Sequence, residues 1–325
     1  MSPLDGDRTR PFAPPLDPDL AAVLAAQPAL RVPLAPEAIV RLRERMAGPD
    51  GETLPPADGG ISATELTVAG SGGATLPVLV LRQVRRPPVA LACYFHGGGL
   101  VVGDNRTGIG IPRHWVGAAG VAVASVGYRL APEYPYPVPA EDCFAALCAL
   151  AGRPEFASLP VIVAGSSAGA GLAAAVTLMA RDRGGPELAG QLLMCPMLDD
   201  RMHTPSSYEL DGDGVWDRRS NRTGWTSYLG DACGGTGVPP YAAPARCEDL
   251  AGLPAAYVDV GSAELFRDEA IEYASRLARS GVLTELHVWP GAFHGFDLHA
   301  PESSLAGAAR RARADWLART TGRPR

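Results

Sequence analysis

Residues 161–172 read Val-Ile-Val-Ala-Gly-Ser-Ser-Ala-Gly-Ala-Gly-Leu. The first four are apolar and mostly β-branched, which suits a short strand buried on both faces. From Ala168 an alanine-rich run continues to Arg181 and reads as a helix. Between the two, Gly165-Ser166-Ser167-Ala168-Gly169 spells G-x-S-x-G. A strand that turns sharply into a helix through this pentapeptide holds its serine out above the sheet, and the residues two before and two after it must be small. The helix N-terminus beneath favours negative charge. Glycine is abundant, 38 of 325 residues, so a shuffled chain would show the pentapeptide about 0.2 times by chance. The strand–turn–helix context is what makes Ser167 the candidate nucleophile. The plainer alternative is a glycine-rich helix start capped by Ser166 or Ser167. Ser166 points elsewhere in this geometry and is read as structural.

The same alternation extends along the chain. Val89–Phe95, Val121–Tyr128, Leu192–Cys195, Ala256–Val260 and Leu283–Val288 are further short apolar runs. Helical stretches lie between or after them at Ala140–Ala151, Arg267–Ser280 and Ser304–Arg319. Ser62–Val68 and Thr75–Gln83 alternate in polarity and predict a hairpin. The resulting fold class is α/β, a mostly parallel eight-stranded sheet flanked by helices. Ahead of it, residues 1–16 are Pro-rich and read as extended. Asp17–Gln27 and Pro36–Met46 carry helical periodicity, with Asp17 a candidate cap, and Gly48–Gly60 is a turn-rich link. Residues 199–230 break the rhythm: they are polar, with Tyr208, Trp216, Trp225 and Tyr228 dispersed among them, and read as an insertion.

In an open α/β sheet, chemistry gathers at the carboxyl ends of the strands. His96-Gly97-Gly98-Gly99 follows one such end, and a shuffle would contain this tetrapeptide only about 0.01 times. Consecutive glycines let backbone N–H groups approach a ligand closely. The oxyanion of an acyl-transfer intermediate needs such donors, and Gly97, Gly98 and Ala168 are the expected three. A phosphate loop is disfavoured, because neither G-K-S/T nor a dinucleotide fingerprint is present. His96 reads as an orienting residue of the loop.

A serine hydroxyl needs a base. Of six histidines, His294 lies in Pro290-Gly-Ala-Phe-His-Gly-Phe296, just after a strand, and the order Ser…acid…His suits an α/β-hydrolase. His287 falls within a strand and reads as packed, His203 and His299 as solvated, and His114 as helical. The acid must follow the strand Ala256–Val260. Glu264 is the favoured residue because it lies in the loop itself. Asp268 and Asp259 stay open as alternatives, although Asp259 falls inside the strand and Asp268 and Glu269 open a helix that acids stabilise anyway.

Composition closes off other classes. Hydrophobic residues are 46% and charged residues 20%, ordinary for a globular chain. A net charge of −6 without a basic block gives nucleic-acid binding little support. No apolar run is long enough to span a bilayer, and the N-terminus lacks a signal-peptide core. The six cysteines form no C-x-x-C pair and have no histidine partner at zinc spacing. Cys93, Cys143, Cys148 and Cys195 read as small hydrophobes in apolar runs, and the set as reduced thiols of a cytoplasmic protein.

Together these residues resemble the bacterial hormone-sensitive-lipase-like esterases of the α/β-hydrolase fold. The resemblance runs from about Leu91 to Phe296. It includes His96–Gly99 with Gly103-Asp104, Tyr128-Arg-Leu-Ala-Pro-Glu133, the turn at Ser167, the stretch 217–230 and His294-Gly-Phe. Departures are Ser166 before the serine, Ala170 for a common glycine, and Glu264-Leu-Phe-Arg-Asp-Glu269 where the family usually has D-P-L-R-D-E. The resemblance implies a serine carboxylic-ester hydrolase for short- to medium-chain acyl esters, with no metal and no cofactor. It makes Arg129 and Glu133 structural and leaves a homodimer open. It also implies a helical cap drawn from residues 1–60 and 199–232, over a catalytic domain of residues 61–198 and 233–325. Other acyl-transfer or lyase chemistry, or a non-catalytic ligand-binding relative, are the alternatives on this fold.

Overall fold

The computed structural model describes residues 14–47 and 60–322. The expected N-terminal arm and the link at 48–60 lie outside these residues except at their edges.

The predicted strands form one eight-stranded sheet: β1 (Ile61–Ala69), β2 (Thr75–Gln83), β3 (Leu91–Phe95), β4 (Ala122–Val126), β5 (Val161–Ser166), β6 (Leu188–Met194), β7 (Ala255–Gly261) and β8 (Thr284–Trp289), in the order β1-β2-β4-β3-β5-β6-β7-β8. β1 and β2 make the antiparallel hairpin, with Ile61 opposite Gln83, and β2 runs antiparallel to β4. β3 to β8 are mutually parallel, so their carboxyl ends share one edge.

The helices are α1 (Pro18–Ala26), α2 (Ile39–Ala47), α3 (Gly110–Ala118), α4 (Val138–Ala151), α5 (Ala168–Arg183), α6 (Ser206–Glu209), α7 (Arg218–Leu229), α8 (Arg267–Arg279), α9 (Phe296–His299) and α10 (Ser304–Thr320). Asp17 does cap α1, its carboxylate accepting from the N–H of Asp19 and Leu20 at 3.0 and 3.2 Å. Among the described residues no helix is long and apolar enough to cross a membrane.

The central strands are apolar throughout because both faces are covered. Leu91, Cys93 and Phe95 of β3 join one core with residues of α4, α5 and α8. Ala92 and Tyr94 join a second core with Trp115 and Val116 of α3 and Trp316 and Leu317 of α10. Helix α5 lies deepest, buried from Ala168 through Ala180, which explains its lack of a polar face. The YRLAPE segment acts as a tie. Arg129 bonds Asp142 of α4 and Ser71, and Glu133 pairs with Arg43 of α2 at 2.9 Å. Cys148 departs from its expected packing: its position on α4 faces solvent, whereas Cys93, Cys143 and Cys195 are buried.

Asp259 sits in β7 as expected, and its charge is used there. Arg313 of α10, only 2% exposed, donates to Asp259 at 2.7 Å and pairs with Asp297 of α9. Tyr257 and Trp289 each add a 3.2 Å bond to Asp259. Arg313→Met leaves two buried carboxylates without their cation. It is expected to lower the urea unfolding free energy by about 3–5 kcal/mol, and a loss below about 1 kcal/mol would contradict this role.

Candidate active site

Ser167 stands between β5 and α5 with φ 57 and ψ −120, a conformation that side chains rarely adopt. Its N–H donates to Met194 O at 2.8 Å, which ties the turn to β6. The crossing of α5 over β3 explains Gly169: a Cβ there would stand 2.0 Å from Phe95 O. The strained serine is thus held between two packed elements and is 5% exposed.

His294 arrives from the loop after β8, and Glu264 from the loop after β7. The structure brings them into line with Ser167: His294 Nε2 lies 3.0 Å from Ser167 Oγ, and Nδ1 lies 3.1 Å from Glu264 Oε1. Glu264 is 1% exposed and its second oxygen accepts from Gly261 N–H at 3.3 Å. Burial pulls the His294 pKa down, but Cys195 and Glu264 beside it more than reverse this, leaving it well above 6.5.

The alternative acids are occupied elsewhere. Asp259 faces Arg313, and Asp268 accepts from Ser206 N–H at 2.7 Å. Glu269 was expected to serve its own helix terminus. Instead it is buried and accepts from Leu198 N–H at 2.7 Å, and burial raises its pKa. Asp268 and Glu269 therefore anchor the 199–232 segment to α8.

The glycine loop lies beside Ser167. Gly98 has φ 117, and a Cβ there would stand 2.1 Å from Val102 O, so only glycine fits. Among the described residues the N–H groups of Gly97, Gly98 and Ala168 have no acceptor. His96 is fully buried, stacks on Tyr128 at 4.2 Å and donates from Nδ1 to Gly97 O at 2.7 Å. Burial drops its pKa to about 4, so the ring is neutral and shapes the loop.

Two cavities meet at His294 and Val215. One, about 200 Å³, is lined by Gly97, Gly98, Ser167, Trp216, Asp297 and His299. The other, about 260 Å³, is mostly apolar and lined by Leu16, Leu24, Leu210, Val215 and Phe293. His299 thus departs from its expected solvated position: α9 folds back and turns it into the first cavity, where burial lowers its pKa. His203 is 58% exposed on its side chain, as expected. His287 packs between Tyr257 and Trp289.

Cys195 is the residue whose place differs most from its reading as core filler. It is buried, but its sulfur belongs to a group with Glu264 and His294 whose donor atoms lie within 4.8 Å of one another. Its position directly after β6, at a parallel strand's carboxyl end, was the available signal. His299 and Asp297 offered no comparable one, because they enter through a short helix that periodicity does not reveal.

A family model described as an alpha/beta hydrolase fold matches residues 92–298. The chain is 35% identical over 298 residues to the esterase LipI of Mycobacterium tuberculosis, spanning 89% of this chain and 90% of that one. It is 34% identical over 294 residues to the carboxylesterase NlhH of the same organism, spanning 87% and 89%. A bacterial heroin esterase superposes with a TM-score of 0.83 at 34% identity, over 94% of this chain and 98% of that one.

Proposed function

The chain belongs to the hormone-sensitive-lipase-like esterases of the α/β-hydrolase fold, and from that premise we propose that it hydrolyses short- to medium-chain carboxylic esters through Ser167, His294 and Glu264. The observation that carries this reading is the continuous hydrogen-bonded line of 3.0 and 3.1 Å through the imidazole.

In the proposed reaction Ser167 Oγ attacks the ester carbonyl and its proton passes to His294 Nε2. Glu264 holds the Nδ1–H tautomer and stabilises the imidazolium. The N–H groups of Gly97, Gly98 and Ala168 receive the carbonyl oxygen as it becomes an oxyanion. Collapse breaks the C–O bond, and His294 returns the proton to the departing alkoxide. Water then attacks the acyl-serine by the same route and releases the acid. Residues 199–232 and the N-terminal helices act as the cap, with Trp216 over one cavity and α1 walling the other.

Both cavities fall below the roughly 300–1,000 Å³ of pockets for drug-sized ligands, which supports small acyl and alcohol groups. A p-nitrophenyl ester series is expected to give its highest kcat/KM at short or medium chains and a steep fall by palmitate. Amides and lactones in the same series test the acyl-transfer alternatives. A maximum at palmitate, or hydrolysis of amides alone, would overturn the reading.

The base acts only when neutral, so activity is lost as pH falls through the His294 pKa. The free imidazole value of about 6.5 is the unperturbed reference. With the pKa raised, the acidic limb of kcat/KM is expected above that value. A limb below about 6 would count against the raised pKa, and a profile with no acidic limb at all would count against His294 as the base.

A further inference from the structure

Cys195 is the group touching the line of Ser167, His294 and Glu264 that the proposed reaction leaves idle. It has φ 39, its N–H donates to Asp259 O at 2.7 Å, and it is 8% exposed, so its backbone is held in place. Cys195 Sγ, one carboxylate oxygen of Glu264 and one ring nitrogen of His294 all lie within 4.8 Å of one another. Thiolate, carboxylate and imidazole are the donors that zinc takes. With bonds of about 2.0–2.3 Å, its tetrahedral ligand atoms stand roughly 3.3–3.8 Å apart. The three donors, already within 4.8 Å of one another, have to close by about 1 Å to reach that spacing. One thiolate and one carboxylate also balance a dication, which leaves the filled site neutral where Cys195 and Glu264 are buried.

We propose that Cys195, Glu264 and His294 form a binding site for a thiophilic divalent cation, represented by Zn²⁺, and that its occupancy inhibits the enzyme. Binding itself rests only on the three donors; the inhibition rests also on the proposed role of His294. On binding, the Cys195 S–H bond breaks, its proton leaves to solvent, and a sulfur–metal bond forms. The hydrogen bond between His294 and Glu264 gives way to bonds from each to the metal. If the metal takes Nδ1, the one proton of the neutral ring moves to Nε2, which can no longer accept from Ser167. If it takes Nε2, the lone pair is removed directly. In both cases the base is lost while Ser167 keeps its place between β5 and α5.

The test is Zn²⁺ titration of hydrolysis in chelator-free buffer, each protein normalised to its own metal-free rate. In the wild type kcat is expected to fall, and EDTA to restore it. Cys195→Ala, or Cys195→Ser if the alanine variant folds poorly, should raise the half-inhibitory concentration at least about 10-fold. That is the loss in affinity seen when even an outer partner of a metal ligand is removed. Replacing the exposed Cys148 and half-buried Cys233 by serine should leave inhibition unchanged. A readout independent of hydrolysis uses Co²⁺ on Ser167→Ala lacking those two thiols. A thiolate-to-cobalt charge-transfer band is expected, and it should vanish when Cys195→Ala is added. Equal inhibition with and without Cys195, no inhibition of the wild type, or no cobalt–thiolate band would overturn the site. Absence of ester hydrolysis in the untreated wild type would instead overturn the reaction assignment, and the cobalt band would still decide whether the site binds metal.

Discussion

Ser167→Ala is expected to lower kcat for p-nitrophenyl butyrate by on the order of 10⁶-fold, the scale at which a triad serine removed alone costs nearly as much as the whole triad. Among the described residues no other hydroxyl has the same environment. The neighbouring Ser166 Oγ lies beside Cys195 Sγ at 3.9 Å, whereas Ser167 Oγ lies 3.0 Å from His294 Nε2. The folded state should survive, because the substitution removes one oxygen and leaves Cβ in place. The backbone conformation with φ 57 is imposed by β5, α5 and the bond to Met194 O, and alanine meets it as serine does. The measurement is kcat with a thermal melt on the same preparation. Hydrolysis within about 100-fold of wild type, in a protein free of contaminating esterase, would remove Ser167 from the role. Ser166→Ala serves as the comparison and should retain most activity.

Glu264→Gln is expected to lower kcat by about 10⁴-fold, the size of effect when a triad acid is neutralised in place. A carboxylate only accepts, so it selects the tautomer with the proton on Nδ1 and the lone pair on Nε2. An amide can donate to Nδ1 instead, which reverses the tautomer and leaves Nε2 protonated and useless as a base. A pH profile separates this from a merely structural loss. Glu264 raises the His294 pKa, so removing its charge should move the acidic limb of kcat/KM to lower pH. Asp268→Asn should leave the limb in place, since Asp268 faces Ser206 and Arg267. Asp259→Asn should act through stability, since Asp259 faces Arg313. A near-normal rate in Glu264→Gln together with a collapse in Asp268→Asn would transfer the role.

These expectations were legible to unequal degrees. The strands were readable because burial on both faces leaves an uninterrupted apolar run, as in Leu91–Phe95 and Ala122–Val126. The same runs put Asp259 inside a strand and Glu264 beyond its end, where β7 (Ala255–Gly261) leaves them. Positions near strand ends were readable because topology brings parallel carboxyl ends to one edge. Contacts made across that edge by residues other than Ser167, Glu264 and His294 were not readable. Cys195 looked like core filler because a small apolar residue beside an apolar run has the same pattern whether it faces a helix or a histidine. His299 looked solvated because no periodicity marks a four-residue helix.

The one-dimensional order of residues was enough for the sheet, the sharp turn at Ser167 and the place of Glu264 in the loop after β7. Each follows from local sterics and from which residues tolerate burial, and these act over a few neighbouring positions. Tertiary structure decided what surrounds the imidazole: that Asp259 answers Arg313, that Glu269 holds Leu198, that His299 enters a cavity and that Cys195 stands against Glu264 and His294. Those partners come from segments tens of residues apart. Only the closing of the sheet brings them within reach, and at that range charge and hydrogen bonding determine what a side chain does.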